Sequence, residues 1–115
     1  MTGAITEDAG YELTKKLLDK NCGIDAIFCI SDAIALGCLQ ALHERNIAVP
    51  KDIAVCGFDN TRASKWSIPR LTTIEQNLNE SGARAAQLLC SLIHGGDYEN
   101  CKIYVKYRLI YRESL

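Results

Sequence analysis

The pattern of apolar and polar positions divides the 115 residues into helix-like and strand-like segments. Leu13, Leu17 and Leu18 recur at helical spacing after Thr6, a residue type that caps helices, and Asn-Cys-Gly at residues 21–23 ends the pattern. The run "AIFCI" at residues 26–30 is continuously apolar, which is typical of a strand covered on both faces of a sheet. A helix followed by a covered strand is therefore predicted at the start of the chain.

The alternation of helix-like and strand-like segments continues along the chain. The next predicted elements are a helix over residues 32–46, a covered strand over 53–58 and a short strand over 71–75. Asn79 or Ser81 is predicted to cap a further helix that ends at Gly95, and the alternating pattern of residues 102–114 predicts one or two strands exposed on one side. This order implies an α/β fold, a mostly parallel sheet flanked by helices with right-handed crossovers.

Composition narrows the class of protein. Hydrophobic residues make up 48% of the chain, charged residues 23%, and the formal net charge is −1, so no basic surface for nucleic acid is indicated. The sequence has neither an apolar run of the ~20 residues that span a bilayer nor the pattern of an export signal. We therefore expect a cytoplasmic protein.

The six cysteines are expected to be reduced thiols. They are Cys22, Cys29, Cys38, Cys56, Cys90 and Cys101. None forms a C-x-x-C pair, and Cys29, Cys38, Cys56 and Cys90 fall within predicted strands and helices, where buried apolar residues are expected. This scatter favours buried thiols over a disulfide framework or a metal site.

Polar residues follow two of the predicted strands. Ser31 and Asp32 end the first, and Asp59 and Asn60 end the second. Ligands of open parallel sheets bind outside the carboxyl ends of the strands, where a carboxylate can accept hydrogen bonds from two adjacent hydroxyl or N–H groups. Each carboxylate also has a structural alternative: Asp32 is well placed to cap its helix, the role that we favour, and Asp59 can form a turn with Asn60.

Catalytic motifs are not found in the sequence. It has no Ser-His-Asp spacing, no H-E-x-x-H motif and no phosphate-binding glycine loop. His43 lies within one predicted helix and His94 in the last turn of another, and neither position suits a general base. We predict a protein that is not an enzyme and that needs no cofactor or metal.

Residues 26–77 resemble the LacI/GalR family of bacterial transcription regulators, in the later part of their effector-binding core. The matching motifs are Ser31–Asp32, Ala35–Leu36–Gly37, Ile47 to Val55, Gly57–Phe58–Asp59–Asn60 and Pro69 to Gln76. The similarity continues through "NESGARAAQLLCSLI" and the closing "RLIYRESL", so it covers nearly the whole chain. Asn46 departs from the pattern, because the family usually has Gly before this turn.

The resemblance implies a periplasmic-binding-protein-like core of two α/β lobes around a small ligand, of which this chain would form a partial lobe. Residues 1–77 would be elements of the second lobe, 78–100 a crossover helix that normally lies on the first lobe, and 101–115 the returning strands. The DNA-binding domain would lie outside the chain, so operator DNA would be bound only through that missing N-terminal domain. The crossover helix is expected to dock on a neighbouring chain or to pack in a position other than the family's.

The resemblance also assigns residues to two sites. Asp59 aligns with the family's ligand-contacting Asp and Ser31 with a residue that lines the same cleft. Ile5 lies near a position that is often aromatic, and Gln76 and Leu78 would lie near the crossover. The predicted dimer interface comprises Leu36, Leu39, Gln40, His43, Lys65, Trp66, Ser67 and Ile68. The alternative for Trp66 is that it folds back on its own domain.

The function implied is the effector-sensing and dimerisation portion of a homodimeric, allosteric transcription regulator, controlled by a sugar or a purine-like molecule. A periplasmic-type sugar-binding protein has the same fold and is the alternative. The scattered cysteines and the dimer-loop motif disfavour it. An enzyme with an Asp at a strand end is a more distant third reading.

Overall fold

The computed structural model describes residues 4–20, 22–96 and 102–115. Its elements are α1 (Glu7–Asp19), β1 (Ala26–Phe28), α2 (Asp32–Glu44), β2 (Ala54–Phe58), a 3-10 helix (Ala63–Lys65), β3 (Thr72–Gln76), α3 (Leu78–Ile93) and β4 (Tyr107–Ile110). The predicted order of helices and strands is confirmed. The part of the prediction that concerns residues 97–101, Cys101 included, lies outside the described residues.

The strands form one sheet in the order β1-β2-β3-β4. β1 pairs with β2 and β2 with β3 in parallel, so that Phe28 lies opposite Cys56 and Cys56 opposite Thr72. The carboxyl ends of these three strands therefore share one edge of the sheet. The predicted α/β class with a mostly parallel sheet is confirmed.

The chain divides into two compact units, Met1–Glu75 with Leu109–Leu115, and Gln76–Arg108. The first unit contains a core in which α2 packs on β2. Its buried apolar residues are Cys29, Ala35, Cys38, Leu39, Leu42, Ile53, Val55 and Leu71. Burial of Cys29 and Cys38 agrees with the expectation of core thiols, and a hydrogen bond with Cys38 together with burial raises the pKa of the Cys29 thiol.

One face of β1 is exposed, so the prediction that this strand is covered on both faces is wrong. Ile27 packs against the core, whereas Ala26 is exposed and Phe28 is 59% exposed. Side chains alternate between the two faces of a strand, and only the face that Ile27 presents is covered here. A continuous apolar run predicts a strand, but what lies against each face is decided by distant parts of the chain.

The two helices of the first unit meet backbone to backbone. Thr6 caps α1 as predicted, its hydroxyl accepting a hydrogen bond from the Ala9 N–H at 3.2 Å. A Cβ atom at Gly37 of α2 would lie 1.9 Å from the carbonyl oxygen of Glu7, and one at Gly10 of α1 would lie 2.1 Å from that of Ile34. Neither distance leaves room for a methyl group, so both glycines are required for this close helix packing.

The second unit contains α3, whose N-cap is Asn77 rather than the predicted Asn79 or Ser81. The Asn77 side chain accepts a hydrogen bond from the Glu80 N–H at 3.2 Å. None of the residues of α3 is buried, and Cys90 is exposed, which corrects the expectation that this thiol is buried. The expectation that α3 docks on a neighbouring chain or packs in a position other than the family's stays a prediction.

No helix in the described ranges combines the length and the apolar character that crossing a membrane requires.

Replacing Gly37 with Ala tests the backbone contact between α1 and α2. The added methyl group must push the helices apart, so we expect Gly37→Ala to lower the free energy of unfolding by about 1–3 kcal/mol. Gly82→Ala in α3 is the control, because outside the adjacent residues and the backbone of its own helix no atom lies within 4 Å of its Cβ position, and Ala is the better helix former. Urea unfolding followed by circular dichroism measures both variants. A Gly37→Ala protein as stable as the parent would contradict the packing described.

Candidate functional site

The first polar strand end is occupied by a helix cap. Ser31 follows β1 in extended conformation, and its hydroxyl accepts a hydrogen bond from the Ile34 N–H at 3.3 Å. Ser31 is 6% exposed, and Asp32 is the first residue of α2 with no exposed surface. The prediction that Asp32 caps α2 is wrong, because Ser31 takes this position one residue earlier.

The Asp32 carboxylate is instead the centre of a buried hydrogen-bond cluster. Its Oδ2 accepts from the N–H of Thr61 at 2.6 Å and from its hydroxyl at 3.0 Å, and Oδ1 accepts from the hydroxyl of Thr73 at 2.5 Å. A Cβ atom at Gly57 would lie 2.4 Å from Oδ1. Gly57 therefore makes room for this carboxylate, and Asp32 ties α2 to the loop after β2 and to β3.

The second strand end carries an exposed carboxylate on a left-handed turn. Asp59 has φ +106° and Asn60 has φ +50°, a conformation that residues other than Gly seldom adopt. The Asp59 N–H donates to the carbonyl oxygen of Ile74 at 2.8 Å, which holds the turn against β3. Asp59 thus forms the turn with Asn60 that the sequence suggested, and it is exposed at the carboxyl edge of the sheet.

Asn60 is fixed by three partners. Its amide group donates to Glu75 Oε1 at 2.7 Å, its Oδ1 accepts from Arg112 Nη2 at 2.6 Å, and its backbone N–H donates to the Thr73 hydroxyl at 3.2 Å. No role for Arg112 or Thr73 is predicted from the sequence. The sequence signal for Arg112 is its place in the "RES" of the closing motif. Its contact with Asn60 could not be predicted from local pattern, because the two residues are 52 positions apart.

Residues 112–114 run beside the loop and the strand edges. The Ser114 hydroxyl donates to the Val55 carbonyl oxygen at 2.6 Å and accepts from the Thr72 N–H at 2.8 Å. Glu113 accepts hydrogen bonds from Arg70 Nε and from the Arg70 N–H, each at 2.8 Å, and these bonds lower the pKa of the Glu113 carboxyl. This short segment therefore connects β2, β3 and the end of the loop.

The other predicted ligand residues lie in different places. Ile5 precedes the cap of α1 and is 61% exposed. Gln76 ends β3 and is half-buried, and Leu78 begins α3 and is 64% exposed. The structure thus places Ser31 and Asp59 after adjacent parallel strands of the first unit, whereas Gln76 and Leu78 belong to the second unit.

A groove on the first unit contains most of the residues predicted for the dimer interface. One side is a face of α2 and the other is the loop after the 3-10 helix, around a cavity of about 500 Å³. The lining residues are Leu36, Leu39, Gln40, His43, Ser67 and Ile68. We call it the α2–loop groove. Lys65 ends the 3-10 helix and Trp66 begins the loop, and both residues are exposed.

Two large apolar side chains beside this groove face solvent. Trp66 is 77% exposed and Ile68 is 95% exposed. The alternative that Trp66 folds back on its own domain is therefore not realised. Hydrogen bonds nevertheless hold the loop, since the Ser67 hydroxyl donates to the Pro69 carbonyl oxygen at 2.9 Å and accepts from the Leu71 N–H at 3.0 Å.

Within the described part of the chain, no group of three or more His, Cys, Asp or Glu side chains is placed to hold a metal ion.

Comparison with protein families agrees with this geometry. The model of the periplasmic binding protein-like domain matches residues 1–115, and the chain belongs to that family. The predicted partial lobe of this fold is thereby confirmed. The chain spans about a third of the length of the curated relatives that it matches.

The relatives are transcription regulators of the LacI type. The chain is 37% identical over 115 residues to the HTH-type transcriptional repressor PurR of Pasteurella multocida, covering 100% of this chain and 34% of that protein. A LacI-type transcription regulator from Bifidobacterium animalis is 36% identical with a TM-score of 0.83, over 97% of this chain and 40% of that one. The transcriptional regulator CelR, in its complex with cellobiose, is 32% identical with a TM-score of 0.87, over 97% of this chain and 34% of that one. The resemblance found in the sequence is confirmed.

An Asp32→Asn substitution tests the buried cluster. It replaces a charged acceptor by a neutral amide whose NH2 group cannot accept a hydrogen bond. The Thr61 N–H therefore loses its acceptor, or the bond with the Thr73 hydroxyl must reverse, and the bonds that remain no longer involve a charge. We expect the free energy of unfolding to fall by about 1–3 kcal/mol. Asp25→Asn, at an exposed position before β1, is the matched control and should leave stability unchanged. Equal urea midpoints for the two variants would contradict a structural role for Asp32.

Proposed function

We propose that this chain is the effector-sensing and dimerisation portion of a bacterial DNA-binding transcription regulator. The observation that carries the proposal is the exposed carboxylate of Asp59 on a left-handed turn at the carboxyl edge of the parallel sheet. This is where ligands of open α/β sheets bind. Membership of the periplasmic binding protein-like family and the regulators among the relatives support the same function.

The proposed effector is a sugar or a purine-like molecule. A carboxylate such as that of Asp59 accepts hydrogen bonds from two adjacent hydroxyl groups or from two N–H groups, which both classes offer. The cellobiose in the CelR complex supports the sugar class. Ser31, Ile5, Gln76 and Leu78 are proposed as further contacts, with Ile5 supplying apolar surface rather than a stacked ring.

The second proposed role is formation of a homodimer through the α2–loop groove together with Lys65 and Trp66. An exposed Trp beside an exposed Ile is the kind of anchor on which interface energy concentrates. The groove provides a concave apolar surface against which such an anchor on a second copy can pack.

The proposed mechanism is allosteric and involves no catalysis, cofactor or metal. Operator DNA would be bound by a helix-turn-helix domain outside these 115 residues, in a cytoplasmic protein. An effector that binds one arrangement of the regulator more tightly shifts the population towards that arrangement, by no more than its difference in affinity.

Effector binding is tested by Asp59→Asn in the whole protein, meaning this chain with any further segments that its gene encodes. Asn tolerates the left-handed conformation, so the substitution removes the charge and one acceptor while keeping the turn. A panel of sugars and purines, cellobiose included, is first screened by thermal shift on the parent protein. We expect the affinity for the compound found to fall about tenfold or more in Asp59→Asn.

The matched control for this experiment is Asp25→Asn, an exposed Asp on the same unit. Unchanged affinity in Asp59→Asn would sink the proposed ligand contact. A panel without any compound that raises the melting temperature of the parent would count against both proposed effector classes.

Dimerisation is tested by Trp66→Ala. Loss of a buried interface Trp costs about 2 kcal/mol or more, and both subunits lose one, so we expect the dimer dissociation constant to rise by at least roughly 30-fold. Tyr111→Ala is the control, since Tyr111 is an aromatic residue of similar exposure outside the groove. Sedimentation velocity over a range of concentrations gives both constants. Equal dissociation constants for Trp66→Ala and the parent would refute the interface.

A further inference from the structure

The segment from Asp59 to Leu71 begins at the proposed effector contact and contains the loop of the α2–loop groove. Apart from the three-residue 3-10 helix Ala63–Lys65, it has no regular secondary structure. Its conformation therefore depends on hydrogen bonds made by side chains rather than on a helix or strand ladder. One side chain from outside the segment, that of Arg112, contacts it at both ends.

The Arg112 guanidinium spans this segment. Nη2 donates to Asn60 Oδ1 at 2.6 Å, while Nη1 donates to the carbonyl oxygen of Leu71 at 2.6 Å and to Ser64 Oγ at 3.1 Å. The guanidinium is planar and rigid, so the positions of its acceptors are fixed relative to one another. Arg112 is half-buried, and its own N–H donates to the Thr72 hydroxyl at 2.8 Å, which holds it in place.

At the first end, Arg112 acts on the turn that carries Asp59. Asp59 and Asn60 both have positive φ, and such conformations persist where the surroundings enforce them. Asn60 is held on both sides of its amide group, by Arg112 and by Glu75. Any movement of Asn60 therefore changes the direction in which the adjacent Asp59 projects.

At the second end, Arg112 acts on the loop beside the groove. The Ser64 hydroxyl donates to the Thr61 carbonyl oxygen at 2.7 Å, and the Leu71 N–H donates to the Ser64 carbonyl oxygen at 3.0 Å and to the Ser67 hydroxyl at 3.0 Å. These bonds close the loop on itself. Arg112 donates hydrogen bonds to two of these residues, Ser64 and Leu71. It therefore fixes both ends of the stretch that carries Ser67 and Ile68.

We propose that Arg112 is a positioning residue that couples the effector-facing turn at Asp59–Asn60 to the dimer-facing loop at Ser67–Ile68. The inference rests on the proposed function, which makes the turn an effector contact and the loop a dimer contact. The hydrogen bonds that couple the two all lie within the first unit. Because a single rigid group bonds to both ends, a change at Asn60 is transmitted to Ser64 and Leu71 through Arg112. Coupling of this kind is a free energy shared between two sites, and it acts in both directions.

Hydrogen exchange of the whole protein, read by mass spectrometry, tests the coupling without any ligand. Arg112→Lys keeps the positive charge but lacks the planar guanidinium that reaches Asn60 and Leu71 at once. The backbone amides of peptides containing Asn60 and Leu71 should therefore both exchange about tenfold faster. A peptide of α2 containing Leu42 reports on the core and should be unchanged. Arg62→Lys, the same substitution at an exposed position of the same segment, is the control and should alter neither end.

A second variant separates coupling from simple loosening. Asn60→Ala removes the side-chain bonds of Asn60 to Arg112 and to Glu75 and none of the bonds that Arg112 makes to Ser64 and Leu71. Transmission through Arg112 therefore predicts faster exchange at Leu71 in this variant. In the Arg112→Lys background, Asn60→Ala should add nothing at Leu71, since the connection is already broken. Faster exchange at Asn60 alone, or effects at Leu71 that simply add, would overturn the proposal.

The dimer dissociation constant then distinguishes this inference from the proposed function. We expect Asn60→Ala to raise it about tenfold, although Asn60 does not line the groove. If Trp66→Ala weakens the dimer and Asn60→Ala does not, the interface stands and the coupling is refuted. If neither variant changes the constant, the proposed interface fails, and the exchange experiment alone decides whether Arg112 links the two ends.

Discussion

The buried carboxylate of Asp32 sets the geometry of the carboxyl edge of the sheet. A carboxylate without exposed surface is costly unless its oxygens receive hydrogen bonds, and here they receive three, from Thr61 and Thr73. To make them, the chain must bring Thr61 back beneath the start of α2 directly after β2. Gly57 must also lack a side chain, because a Cβ atom there would overlap the carboxylate.

This constraint leaves two residues, Asp59 and Asn60, to reverse the chain between β2 and Thr61. Both take left-handed backbone conformations, which cost about 1–3 kcal/mol each in residues other than Gly. The bonds from Arg112, Glu75 and Thr73 to Asn60 offset part of that cost. The two strand-end carboxylates thus have separate roles. Asp32 is buried and holds the fold together through its hydrogen bonds. Asp59, on the turn that these bonds require, is exposed at the edge of the sheet.

The sequence predicts those features of the fold that depend on local pattern. Periodicity of apolar residues indicates each helix and strand in order, and Thr6 marks the start of α1, because such signals lie within one or two helical turns. Choices between neighbouring residues are less predictable. Ser31 and Asp32, or Asn77 and Asn79, are equally good capping types, and the path of the chain before the helix decides which of them adopts the capping conformation.

Features that depend on contacts between distant residues could not be predicted. The partners of Asp32 lie 29 and 41 residues away in sequence, and Arg112 lies 52 residues from Asn60, so no local pattern relates them. The exposed face of β1 is a similar case, since an apolar run does not reveal which face will be covered. The family resemblance pointed to Asp59 and to the residues of the α2–loop groove as candidates, but it gave no information on the hydrogen bonds that hold them.

Helix α2 connects the two proposed sites physically. Its first residues, with the Ser31 cap, lie at the edge where Asp59 is exposed, and Leu36, Leu39 and His43 of the same helix line the groove. The backbone contact at Gly37 packs α2 tightly against α1, so the helix has little freedom to move alone. Any movement of α2 would therefore have to move both helices together.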